Sequence, residues 1–200
     1  MNFAKSARAA FVGMVALSLA ACGINSVPAA EEEAKAKWAD VEAQFQRRAN
    51  LIPNLAEVAK GAAENEQTIL REVTEARAKA TSVQISADNL GDAEAMEQFA
   101  TAQSQVGAGL GRLLASFEAY PDIKSNQNFL ALQSQLEGTE NRIAVAIRDY
   151  NEAVRAYNTT IRTFPDTIGA NIIHGADPIT PYSAVTPGAD EAPTLDLTSS

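Results

Sequence analysis

One histidine and one cysteine set the limits of the chemistry that this 200-residue chain can do. A di-iron site in a helical bundle needs a Glu-x-x-His motif on each of two helices, and His174 alone cannot supply it. The same shortage removes most His-based triads and zinc sites. The lone Cys22 excludes a disulfide framework and a cysteine-rich zinc site. Gly107-Ala108-Gly109-Leu110-Gly111 matches neither G-x-G-x-x-G nor a P-loop, so its small residues are read as letting two helices approach. The run Glu31-Glu32-Glu33 reads as negative charge near a helix start. The acids Glu72, Glu75, Glu94 and Glu97 read as a solvated face. No catalytic residue, cofactor, metal or small-molecule substrate is expected, and the chain is not read as an enzyme. Sixteen basic against twenty-five acidic residues, a formal charge of −9, argue against nucleic acid as a partner, because phosphate binding needs clustered Lys and Arg.

Two groups of polar residues remain. Arg48 and Glu140 fall at positions where a hydrophobic residue is expected, and an unpaired buried charge is costly. Arg47 or Arg48 is therefore expected to pair with Glu140 across helices and fix their register, with the alternative that both side chains reach the solvent rim. Tyr150 and Tyr157 are seven residues apart and share a face, beside Asn151 and Asn158. They read as aromatic core rungs with a hydroxyl partner, or as a groove for a binding partner.

The elements that must position these residues follow from heptad spacing. One register runs Trp38, Val41, Phe45, Arg48, Ile52, Leu55 and on through Val73, Ala76, Ala80 to Val83, interrupted only at Arg48 and Glu66. A second runs Met96, Phe99, Gln103, Val106, Leu110, Leu113, Phe117, Tyr120. A third runs from Phe129 through Leu136, Glu140, Ile143, Tyr150, Val154 and Tyr157 to Phe164. Breakers follow each, at Asn89-Leu90-Gly91-Asp92, Pro121-Asp122 and Pro165-Asp166. The fold class is all-α, a long antiparallel up-and-down bundle. Pro53 leaves two arrangements open. Either four arms span about 32–49, 52–84, 92–119 and 126–163, or one long first helix, kinked at Pro53, runs past a three-helix core.

Residues 1–21 have Lys5 and Arg8 followed by an uncharged apolar run, too short to span a bilayer, which reads as a secretory signal. Leu19-Ala20-Ala21-Cys22-Gly23 resembles a lipobox, with Cys22 as the site of lipid attachment. Cleavage would leave fourteen basic residues and a formal charge of −11, so the lipid and not a basic patch would hold the membrane. Residues 22–30 are expected to form a spacer, 31–164 the bundle, and 165–200 an acidic, Pro- and Gly-containing tail, extended or disordered.

The run Gln46-Arg47-Arg48-Ala49-Asn50-Leu51-Ile52-Pro53-Asn54-Leu55, then Val58-Ala59-Lys60-Gly61-Ala62, Val73 and Ala76-Arg77, resembles the LemA family of bacterial envelope proteins. The likeness extends through Tyr120-Pro121-Asp122-Ile123-Lys124-Ser125-Asn126, Thr139-Glu140-Asn141-Arg142-Ile143-Ala144, Tyr150-Asn151 and Tyr157-Asn158. It implies a helical bundle tethered to a bacterial membrane, usually through one N-terminal helix, with no established biochemical activity. This chain departs from that pattern in carrying a lipobox, and in having Ile24-Asn25 where relatives often have Tyr-Asn. The resulting expectation is a lipid-anchored, extracytoplasmic scaffold or interaction module with an envelope protein partner. Gly23 favours the periplasmic face of the outer membrane in a diderm host. The alternative is a regulatory partner of a membrane protease or a TPM-domain protein.

Overall fold

The computed structural model describes residues 3–58 and 64–184, with side chains from Asn25 onward except those of Glu64, Asn65, Glu66, Asp122 and Lys124. It is an all-α helical bundle, without strands among the described residues. Four long helices carry it: α1 (Phe3–Val58), α2 (Glu64–Ser82), α3 (Ala93–Phe117) and α5 (Gln127–Thr160). Short turns α4 (Pro121–Lys124) and α6 (Asp166–Gly169) lie at the connections. The side chain of Cys22, that of Glu66 and the tail from residue 185 lie outside the described residues.

The chain packs as two compact units, each drawing on α1, α3 or α5 in part. In the unit built from the described residues of 45–85, 94–141 and 182–184, Ile52, Leu55, Val73, Val106, Leu110 and Leu113 form the core. The side chains of Phe117 and Phe129 meet edge to face, centroids 5.5 Å apart, and join the ends of α3 and α5. Asn126 caps α5: its Oδ1 accepts the backbone N–H of Asn128 at 2.9 Å and of Phe129 at 3.4 Å. Gly109 lets α2 and α3 approach closely, since a Cβ there would lie 3.0 Å from Val73 Cγ2.

Pro53 does not end α1, which continues to Val58. A proline in a helix leaves the carbonyl four residues earlier without its donor, here that of Ala49. Arg77 replaces it: its Nε donates to the Ala49 carbonyl at 2.7 Å. This bond also decides between the two arrangements. On one continuous helix those residues would stand about 40 Å apart at 1.5 Å per residue. The chain therefore reverses after Val58, so the bundle has four long segments, with the first boundary after Val58 and not between residues 49 and 52.

In the other unit, Val27, Ala34, Trp38 and Val41 of α1 are buried, as are Leu90, Ile143, Tyr150, Val154 and Tyr157, and Trp38 packs on Tyr150. Three expectations change here. Residues 25–30 are helix and not a loose spacer, and Val27 is fully buried. Glu31, Glu32 and Glu33 lie within α1 and not at its start, where Glu31 and Glu32 pair with Lys35 at 2.9 and 3.7 Å and Glu33 pairs with Lys37 at 3.6 Å. The beginning of the expected tail is also ordered: α6 and a π-turn at Ala170–His174 precede a strap without regular secondary structure, residues 175–184.

Candidate functional site

Arg48 is 3% exposed and is one of three buried polar residues in the described chain, with Gln103 and Thr139. The register that brings Val41, Phe45, Ile52 and Leu55 inward brings Arg48 with them. Its Nη1 donates to Glu140 Oε1 at 3.1 Å, and its Nη2 donates to both the backbone carbonyl and Oε1 of Gln103 at 2.8 Å. The guanidinium also lies 5.1 Å from the Phe45 ring centroid. Arg48 Nε is buried without an acceptor. Glu140 remains 47% exposed, so solvent screens its charge and the Gln103 bonds hold the buried end of the network. Arg47 is exposed, and Arg48 is the residue that meets Glu140. Burial pushes the Tyr182 hydroxyl up to about 12, with Arg48 and Glu140 acting on it in opposite directions.

Tyr150, Tyr157 and Asn158 form a second constellation, and its occupant is the chain's own strap. The Tyr150 hydroxyl donates to the Thr180 carbonyl at 2.8 Å, and that of Tyr157 donates to the Asp177 carbonyl at 3.0 Å. Asn158 clamps one residue from both sides: its Nδ2 donates to the Ile179 carbonyl at 2.8 Å, and its Oδ1 accepts the Ile179 N–H at 2.9 Å. Thr180 N–H donates to the Leu90 carbonyl at 2.9 Å, and Ile179 is buried. Trp38 packs on Tyr150 at 5.1 Å between centroids. Burial raises the pKa of Tyr150 well above its usual 10, and burial is also the largest cause of the rise at Tyr157. Asn151 is half-buried and lines a shallow hollow with Asn158, Arg162 and Pro181. His174 is not in a free tail. It lines a cleft of about 370 Å³ with Glu31, Lys35, Asp88, Tyr157 and Asp177. Among the described residues no three His, Cys, Asp or Glu side chains are grouped to hold a metal ion.

The model of the LemA family matches residues 37–196. The chain belongs to the LemA family. Among curated proteins it is similar to magnetosome proteins MamQ 2 and MamQ 1 of Paramagnetospirillum magneticum, each 29% identical over 145 residues, 64% of this chain and 53% of the relative. It is also similar to MamQ of Magnetospirillum gryphiswaldense, 28% identical over 136 residues, 60% of this chain and 50% of that protein. The chain spans about half the length of these curated relatives. The LemA match begins at Lys37, so the Leu19–Cys22 run lies outside it.

Within this LemA chain, motif segments far apart in sequence meet in space. Ala49-Asn50-Leu51-Ile52-Pro53 and Ala76-Arg77 are joined by the Arg77 bond to Ala49, and Gln46-Arg47-Arg48 and Thr139-Glu140 by the ion pair. Sequence reasoning missed Arg77 and Gln103 as partners. The missing donor of Pro53 was the available signal for Arg77, while Gln103 stood on its register as an unexplained polar residue.

Proposed function

We propose that this LemA-family chain is a lipid-anchored helical scaffold on the extracytoplasmic side of a bacterial membrane, holding its bundle close to the surface for an envelope protein partner. The observation that carries the reading is the Leu19-Ala20-Ala21-Cys22 run, five residues ahead of the buried Val27. Acylation at Cys22 would join the lipid to the core with almost no intervening linker. A scaffold role is supported by the polar residues themselves: Arg48, Gln103, Arg77, Tyr150, Tyr157 and Asn158 all bond within the protein and hold its own elements. No helix among the described residues is long and apolar enough to cross a membrane. The naming of the MamQ relatives as magnetosome proteins supports a role in a cellular assembly.

Crosslinking in intact cells, followed by membrane fractionation and mass spectrometry, tests this reading. The chain is expected in the membrane fraction, joined to several envelope proteins, and to incorporate labelled palmitate only while Cys22 is present. A single stoichiometric enzyme partner would replace the scaffold by a regulator. Labelled palmitate that is still incorporated after Cys22→Ala would refute the anchor.

A further inference from the structure

Four large apolar side chains stand exposed just beyond α5: Phe164 at 69%, Ile168 at 43%, Ile172 at 78% and Ile173 at 56%. Ile168 lies in the α6 turn, Ile172 and Ile173 in the π-turn that follows, and Phe164 in the turn just before α6. Between Ile168 and Ile172, Gly169 and Ala170 are buried. The polar groups of this knuckle are turned inward on themselves. The Asn171 amide donates to the Thr167 carbonyl at 2.8 Å and to its hydroxyl at 3.1 Å, and Ala176 N–H closes onto the Ala170 carbonyl at 3.0 Å. Such a concentration of exposed apolar side chains on one small turn marks a surface that something covers.

The contact that fixes the location is Ser26 with Asp166, the first residue of α6. Ser26 is four residues after Cys22, a distance of about 6 Å along a helix and at most about 14 Å if that stretch were fully extended. We propose that the knuckle of Phe164, Ile168, Ile172 and Ile173 inserts into the lipid bilayer beside the acylated Cys22, as a second and non-covalent membrane contact. This rests on the lipid-anchor reading above. An interfacial element needs to reach only about 5–10 Å into the headgroup and acyl boundary, which is within range of so short a tether. No Lys or Arg follows Arg162 in the sequence, so insertion would depend on apolar burial and not on anionic lipid. The knuckle also orients the domain: one covalent point leaves a body free to rotate, and a second contact beside it selects one face.

Lipidation consumes the only cysteine, so Ile172→Cys in the acylated protein gives a single site for a fluorescent label. Ile172 is 78% exposed, and the substitution should leave the far-UV circular dichroism unchanged. The control is Arg148→Cys, 72% exposed and about 18 Å before the end of α5. Both labelled proteins are reconstituted into phosphatidylethanolamine and phosphatidylglycerol vesicles carrying acyl-chain nitroxides, then floated on a density gradient. Flotation with quenching roughly threefold or more stronger at position 172 than at 148, unchanged by added salt, is the expected result. Flotation with equal quenching at the two positions would overturn the insertion and leave the anchor standing. A label shielded from water at 172 but not quenched by lipid would assign the knuckle to a second copy of the chain and would also overturn it. Acylated protein that fails to float would overturn the anchor, and the insertion with it.

Discussion

The replacement of Pro53's missing hydrogen bond by Arg77 makes a coupling that can be worked out in advance. Arg77→Ala removes the side-chain donor to the Ala49 carbonyl, and Ala49 is 8% exposed. A hydrogen bond from a charged donor contributes about 1.5–3 kcal/mol, and a buried acceptor left unpaired costs about as much, so a loss of about 2 kcal/mol is expected. Pro53→Ala restores an N–H at the position that can bond the same carbonyl through the helix. It also removes a residue that is about 3 kcal/mol unfavourable in helix interiors, offset in part by the freedom the unfolded chain regains. In the Pro53→Ala background, Arg77→Ala should therefore cost less than about 1 kcal/mol, which gives a coupling energy of about 1 kcal/mol or more. The assay is urea unfolding followed by circular dichroism, on chains carrying Cys22→Ala so that no acyl group contributes. Unchanged m-values would show that the unfolded states are comparable. Equal costs of Arg77→Ala in the two backgrounds would refute the reasoning.

Three further outcomes follow from the packing and the ionisable groups. Arg48→Ala should destabilise by about 3 kcal/mol, mostly by leaving Gln103 unpaired, with a coupling to Glu140→Ala near 1 kcal/mol because Glu140 is half-exposed; Arg47→Ala should show no coupling, as unfolding cycles will read. Gly109→Leu should cost about 1–3 kcal/mol by driving a side chain into Val73, whereas Gly111→Ala, with nothing within 4 Å, should raise the thermal midpoint through a gain of about 1 kcal/mol. Burial raises Tyr150, Tyr157 and Tyr182, so the native chain keeps protons that the unfolded chain loses above pH 10. Stability should be complete below pH 10 and fall as pH rises through the folded values, about 12 for Tyr182; Tyr150→Phe should flatten that fall in denaturation measured against pH.

The heptad registers were legible because burial follows side-chain spacing. Trp38, Val41, Phe45, Ile52 and Leu55 are buried in α1, and Met96 through Phe117 follow the same rule in α3. Arg48 and Glu140 were legible for a related reason: a charge on an apolar seam must find a partner. The reversal after Val58 was hidden because Pro53 is the strongest local breaker, and the group that neutralises its effect stands 28 residues away. The strap was hidden for a different reason. Tyr150, Tyr157 and Asn158 grip the carbonyls and an N–H of Asp177, Ile179 and Thr180, and main-chain groups leave no mark in residue type. The low-complexity composition of residues 165–184 therefore concealed a segment that packs. Phe164 is the reverse case, a residue on the third register that is 69% exposed because the chain leaves α5 at Thr160.

The central claim is that the bundle is held to a membrane through Cys22. Mass spectrometry of the N-terminal peptide, taken from detergent-extracted protein, tests it most directly. A mature chain that begins at Cys22, carries acyl groups on that residue and lacks residues 1–21 is expected. An unmodified Cys22, or a mature chain that begins elsewhere, would contradict it.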